Sequence, residues 1–118
     1  MHHWALRTVN VEALEKFYTE VFGFPVRKRG AGSTGSVWLE AEGAVVMIER
    51  SGDGEPAIPP GTMELMAFAV DSSDASWKTT WRARIEHAGA QVESETPHTL
   101  YFRDPDGRRL GCSVYPLR

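Results

Sequence analysis

The chain has 118 residues, 42% of them hydrophobic and 25% charged, with a formal net charge of −3. That suffices for one compact domain with its own core, and the mild negative charge without a basic stripe excludes a nucleic-acid partner. No apolar run reaches the roughly 18–20 residues of a membrane span, the first residues hold no signal-peptide apolar region, and the single cysteine, Cys112, excludes an internal disulfide and points to a reducing cytoplasm.

A first strand is predicted over His3–Val9, with Trp4, Leu6 and Thr8 on one face. Asn10 is an N-cap, and Val11, Leu14, Phe17, Tyr18, Val21 and Phe22 recur at helical spacing until Gly23 stops the helix. Three strands follow at about 24–29, 35–40 and 44–49, the last two joined at Ala41-Glu42-Gly43-Ala44. Residues 51–62, SGDGEPAIPPGT, are rich in Pro and Gly and read as a linker. The pattern then returns. A strand is predicted at 64–70, and Ser72 or Ser73 caps a helix with a Trp77, Trp81, Ile85, Ala88 stripe that ends at Gly89 and runs about one turn longer than the first. Strands at about 91–95, 98–103 and 108–115 close the chain, with Asp104-Pro105-Asp106-Gly107 as a tight hairpin.

The order is βαβββ twice, with modules at 1–50 and 63–118. Aligning Gly43 with Gly107 at the two hairpin tips matches Trp38 with Phe102, Met47 with Gly111, and His3 with Leu65.

HHWALRTVNVEALEKFYTEVFGF, MAFAVDSSD and YFRDPDGRRL together resemble the glyoxalase / bleomycin-resistance / extradiol-dioxygenase superfamily, the vicinal-oxygen-chelate fold. The resemblance implies an α+β protein in which two βαβββ modules form a curved mixed sheet, with helices outside and a concave groove inside. It also implies that in metal-dependent members the first and fourth strands of each module supply up to four groove ligands, mostly His and Glu. Carried onto this chain, those positions are His3, Met47, Leu65 and Gly111. Only His3 suits a divalent ion, because a thioether prefers soft copper(I) and Leu65 and Gly111 have no donor side chain. Glu49 lies two residues beyond Met47 on the same strand face, so a site of His3, Glu49 and solvent is the remaining possibility. The expectation is that no metal or other cofactor is bound.

With a two-residue turn at each tip, Trp38 is expected opposite Met47, Phe102 opposite Gly111, Leu100 opposite Ser113 and His98 opposite Tyr115. Gly111 then leaves the Phe102 ring uncovered for a flat ligand. Arg7 shares the groove face and needs an anion, either Glu49 or a bound ligand. The expected ligand-binding set is Trp38, Met47, Leu65, Phe102, Gly111, Arg7, Glu49, Ser113, Tyr115 and His98, with no catalytic residue assigned. The same aromatics serve equally as core or dimer packing. Cys112 is expected on the helix-facing side with Leu110 and Val114, and Asp104 and Asp106 as turn residues.

Three functions follow from the resemblance. The first is a metal-free protein binding a small aromatic or amphipathic molecule, as bleomycin-resistance-type sequestering proteins do. The second is a glyoxalase-like lyase or isomerase, or a dioxygenase, with a noncanonical metal site. The third is a dimeric interaction module with a vestigial groove. A homodimer is expected, with no nucleic-acid or membrane partner.

Overall fold

A computed structural model describes residues 2–30 and 35–117. The chain divides into two compact units between Ala57 and Ile58, within the segment expected to be a linker. Each unit is a βαβββ module, so the α+β class and the repeat are as expected, and each module builds its own four-stranded mixed sheet.

In the first unit the strands are β1 (His3–Thr8), β2 (Val26–Arg29), β3 (Val37–Ala41) and β4 (Ala44–Arg50), arranged in the order β1-β4-β3-β2. Helix α1 (Val11–Phe22) begins where the Asn10 side-chain oxygen accepts the Ala13 N–H at 3.1 Å. It ends at Gly23, whose φ of 72° is the left-handed conformation glycine adopts without a Cβ clash. Leu14, Tyr18 and Val21 of α1 are buried, as are Leu6, Val37, Leu39, Val46 and Ile48 of the sheet. Trp4 shares the face of Leu6 and Thr8 but stays 46% exposed at the edge strand.

The second unit holds β5 (Leu65–Ala69), α2 (Trp77–His87), β6 (Ser94–Glu95), β7 (Thr99–Arg103) and β8 (Arg109–Ser113), with strands in the order β5-β8-β7-β6. Helix α2 starts later than the serines at 72 and 73 suggest. The Asp71 carboxylate accepts from the Ser73 N–H and hydroxyl, and Asp74 does the same for Ser76. Two consecutive side-chain turns thus engage Ser73, one of the two serines expected to cap the helix, and carry the chain on to Ser76. At 11 residues against 12, α2 is not the longer helix.

The two hairpin tips differ, and that overturns one expected register. At the first tip Ala41 pairs with Ala44, and Glu42 (φ 46°) and Gly43 (φ 88°) form a two-residue turn with both φ positive. Trp38 accordingly pairs with Met47, as expected. At the second tip Arg103 pairs with Arg109. The Asp104 N–H donates to the Arg108 carbonyl at 3.0 Å, and the buried Asp104 carboxylate accepts the N–H groups of Asp106 and Arg108. Three residues are therefore enclosed instead of two. An odd-numbered turn moves the pairing by one, and a one-residue move exchanges the two faces of a strand. Phe102 pairs with Leu110, not Gly111, and Leu100 with Cys112, not Ser113; all four are buried on the helix-facing side. Gly111 pairs with Tyr101, and Ser113 with Thr99.

Candidate functional site

On the face of the first sheet opposite α1, parallel pairing sets His3, Ala5 and Arg7 beside Val45, Met47 and Glu49. Trp38 stands across from Met47. The His3 ring lies 6.3 Å from the Trp38 ring, nearly parallel at 16°, and Lys28 Nζ sits 5.3 Å from the Trp38 centroid. Trp38 is half-exposed between these two groups. An aromatic face with one cation, Lys28, and a second ring, His3, beside it favours planar molecules.

Arg7 occupies the same face and already has its anions. Its Nε and Nη2 donate to Glu55 at 3.0 and 2.8 Å, and Nη1 donates to Glu49 at 3.4 Å. Glu49 was expected from the sequence. Glu55 was not, because it lies in the Pro/Gly-rich segment. The Arg7 hydrogen bonds, with the Gly52 N–H second, draw the Glu55 carboxyl down to about 2, and the same contact raises the Arg7 guanidinium. Residues 51–55 are thereby fastened across β1, helped by the Ser51 N–H donating to the Thr8 carbonyl at 2.8 Å.

In the second sheet the face opposite α2 carries Leu65, Ala67 and Ala69, then Arg109, Gly111 and Ser113, then Thr99, Tyr101 and Arg103. Phe102 leaves the expected binding set, because it is fully buried on the other side. The space over Gly111 is not vacant either. A Cβ there would meet the Thr99 methyl at 3.2 Å, Ala67 Cβ at 3.4 Å and Leu65 Cδ1 at 3.6 Å. Gly111 therefore lets three side chains close over the strand. The Tyr101 ring is covered by Arg109, whose Cζ lies 4.4 Å from the ring centroid. Ser113 and Thr99 share a hydroxyl hydrogen bond of 2.8 Å, and the His98 and Tyr115 rings meet edge to face at 5.3 Å. Cys112 is buried beside Leu110, and burial pushes its thiol up to about 12. Thr99, Tyr101 and Arg109 were missed by the sequence reading. The Asp-Pro-Asp-Gly stretch could have revealed them, since Gly at its fourth place suits a three-residue turn.

A family model described as the Glyoxalase/Bleomycin resistance protein/Dioxygenase superfamily matches residues 1–111. The chain belongs to this superfamily. A comparison with curated proteins finds no match. Among solved structures, the E126Q mutant of the fosfomycin resistance protein FosX from Listeria monocytogenes, complexed with Mn(II) and 1S,2S-dihydroxypropylphosphonic acid, aligns with TM-score 0.82 and 18% identity over 99% of this chain and 93% of that one. FosX from Mesorhizobium loti aligns at 0.80 and 16% over 99% and 92%. A glyoxylase/bleomycin resistance protein/dioxygenase domain from Frankia sp. EAN1pec aligns at 0.77 and 20% over 98% and 97%. At these identities the likeness is one of fold.

The superfamily's metal positions can be tested against the donors present. The structure's own pairing supports the equivalence of the two modules, since His3 pairs with Val45 as Leu65 pairs with Arg109. Met47 and Gly111 correspond in the same way. Of these four positions His3 alone offers a donor for a borderline divalent ion. Glu49 does not complete a site with His3. It stands four residues beyond the partner of His3, about 13 Å along the strand at ~3.3 Å per residue, and it is engaged by Arg7. Among the described residues no three His, Cys, Asp or Glu side chains stand together as a metal would need. The donor set does not fit the metal centre of metal-dependent members.

Proposed function

We propose that this superfamily member binds a small aromatic or amphipathic molecule without a metal, and acts by holding that molecule as bleomycin-resistance-type sequestering proteins do. The observation that carries the proposal is Trp38, half-exposed opposite Met47 and flanked by His3 and Lys28. Leu65, Ser113, His98 and Tyr115 supply a second, mixed surface on the other unit, and Gly111 admits the side chains that close it. Arg7 and Glu49 form a fixed charged border. A homodimer and a cytoplasmic location accompany the proposal, the second supported by one buried, reduced thiol.

A thermal-shift screen of chelator-treated protein against small aromatic and amphipathic compounds tests it, because a molecule bound only by the folded state raises the melting temperature. Stacking is worth about 0.5–1.5 kcal/mol, and ~100 Å² of Trp face at ~25 cal/mol per Å² adds about 2.5 kcal/mol. Trp38→Ala is therefore expected to weaken a hit at least about tenfold while lowering the urea midpoint only moderately, as truncation of a partly buried ring does. Loss of folding in Trp38→Ala, or unaltered binding, contradicts the assignment.

A second reading, a metal-dependent lyase, isomerase or dioxygenase, is supported by His3 at one of the four metal positions and by the fold shared with FosX, whose Listeria structure contains Mn(II). Turnover restored by Mn(II), Ni(II), Zn(II) or Fe(II) would favour it.

A further inference from the structure

The described arginines divide into two groups. Arg7, Arg27, Arg29, Arg50, Arg82, Arg103 and Arg108 each have a carboxylate within 4.0 Å. Arg84 and Arg109 have none, and each lies over an aromatic ring instead. Arg84 lies on α2 and has no cross-strand partner. Arg109 has one, Arg103, on the same face of the sheet.

Two like charges directly opposite on a sheet repel. Arg103 is fixed by Glu93 at 3.0 Å and by the Thr62 and Gly107 carbonyls at 2.8 and 2.9 Å. The one carboxylate at this pair is taken by Arg103, and a full positive charge is left at Arg109. Its five N–H donors have no acceptor among the described residues. Stacking on Tyr101 holds the guanidinium in place without using those donors. On its other side Arg109 pairs with Leu65, which is 41% exposed and is followed along the same face of β5 by the exposed Ala67 and Ala69. A positioned, uncompensated cation thus borders an exposed apolar strip.

The geometry points to Arg109 as the receptor for the anionic group of the ligand: the molecule is an organic carboxylate whose head meets Arg109 and whose apolar body lies along Leu65 and Ala67. This rests on the metal-free binding proposed above and narrows its ligand from amphipathic molecules at large to anionic ones. Charge complementarity selects the occupant, since a neutral molecule would leave the Arg103–Arg109 repulsion unrelieved.

The test is titration of the full chain with octanoate and, as a neutral match, octanol, at constant ionic strength, followed by NMR chemical shifts. Wild type is expected to saturate with octanoate at least about tenfold more tightly than with octanol. Arg109→Met, which keeps an apolar stem and removes the charge, is expected to lose at least about tenfold for octanoate, and Arg109→Lys to recover part of it. Arg84→Met is expected to leave binding unchanged. The urea midpoint of Arg109→Met is expected to stay close to that of wild type, because the lost stacking on Tyr101 and the removed repulsion offset each other. Octanol binding as well as octanoate, or unchanged octanoate affinity in Arg109→Met, overturns the carboxylate assignment and leaves metal-free binding standing. A wild type that binds neither overturns the assignment as well. A dimer by light scattering that dissociates in Arg109→Met also overturns it, since Arg109 then meets a second copy of the chain. Octanoate affinity that depends on added divalent metal overturns the underlying reading instead.

Discussion

Truncating Phe102 tests the pairing that separates the two faces of the second sheet. The side chain is fully buried opposite Leu110, so Phe102→Ala removes a whole aromatic ring from the core and leaves a cavity, a change that costs about 3–5 kcal/mol. With a urea m-value of about 1–3 kcal/mol per M, the midpoint should fall by about 1–5 M. A domain of this size has only about 5–15 kcal/mol in total, so the milder Phe102→Leu, expected near 1 kcal/mol, keeps the test measurable. The neighbouring Tyr101→Ala points the other way from the sheet. It forfeits the contact with Arg109, worth about 0.5–1 kcal/mol at an exposed site, plus the burial of a half-exposed ring, and should cost less than half as much. Urea unfolding followed by far-UV circular dichroism reads all three. Phe102→Ala within about 0.3 M of wild type with a larger loss in Tyr101→Ala would refute the pairing and restore Phe102 to the ligand face.

Acid sensitivity should pass through Glu55. Its carboxyl is lowered to about 2 in the folded chain, so the contribution is complete above the unfolded value near 4.3 and is lost as pH falls toward 2; the urea-midpoint gap between wild type and Glu55→Gln should narrow over that range, and a constant gap would contradict the Arg7 clamp. Cys112, raised to about 12 by burial, should react with a disulfide reagent at pH 8 only as fast as the protein opens, and rapidly in urea. Asn10→Ala deletes the 3.1 Å cap to Ala13 and should lower stability by about 1 kcal/mol and the melting temperature by about 4 °C in calorimetry.

Much of this fold was legible because its signals are local. Asn10 and Gly23 delimit α1 by their own chemistry, and the Glu42-Gly43 turn sets Trp38 against Met47 by simple counting. Phe102 was placed on the wrong face for an equally local reason. The buried Asp104 carboxylate binds the N–H groups of Asp106 and Arg108 and widens the turn by one residue, and an alternating strand offers no partial error. With Phe102 on the helix-facing side, Tyr101 and Arg109 lie on the opposite face of the sheet. The Glu55 clamp on Arg7 could not be read from the chain, since it joins residues 48 apart and one of them lies in a segment without a periodic pattern. The donors missing at Met47, Leu65 and Gly111 needed no coordinates, because side-chain identity alone decides what can ligate a metal.

The central claim, ligand binding without a metal, is tested most directly by the metal content of the intact chain purified without chelator. Elemental analysis after gel filtration is predicted to find far less than one divalent ion per chain, because three of the four positions carry no hard or borderline donor. A near-stoichiometric content of nickel, zinc, manganese or iron would contradict the account and revive the enzyme reading.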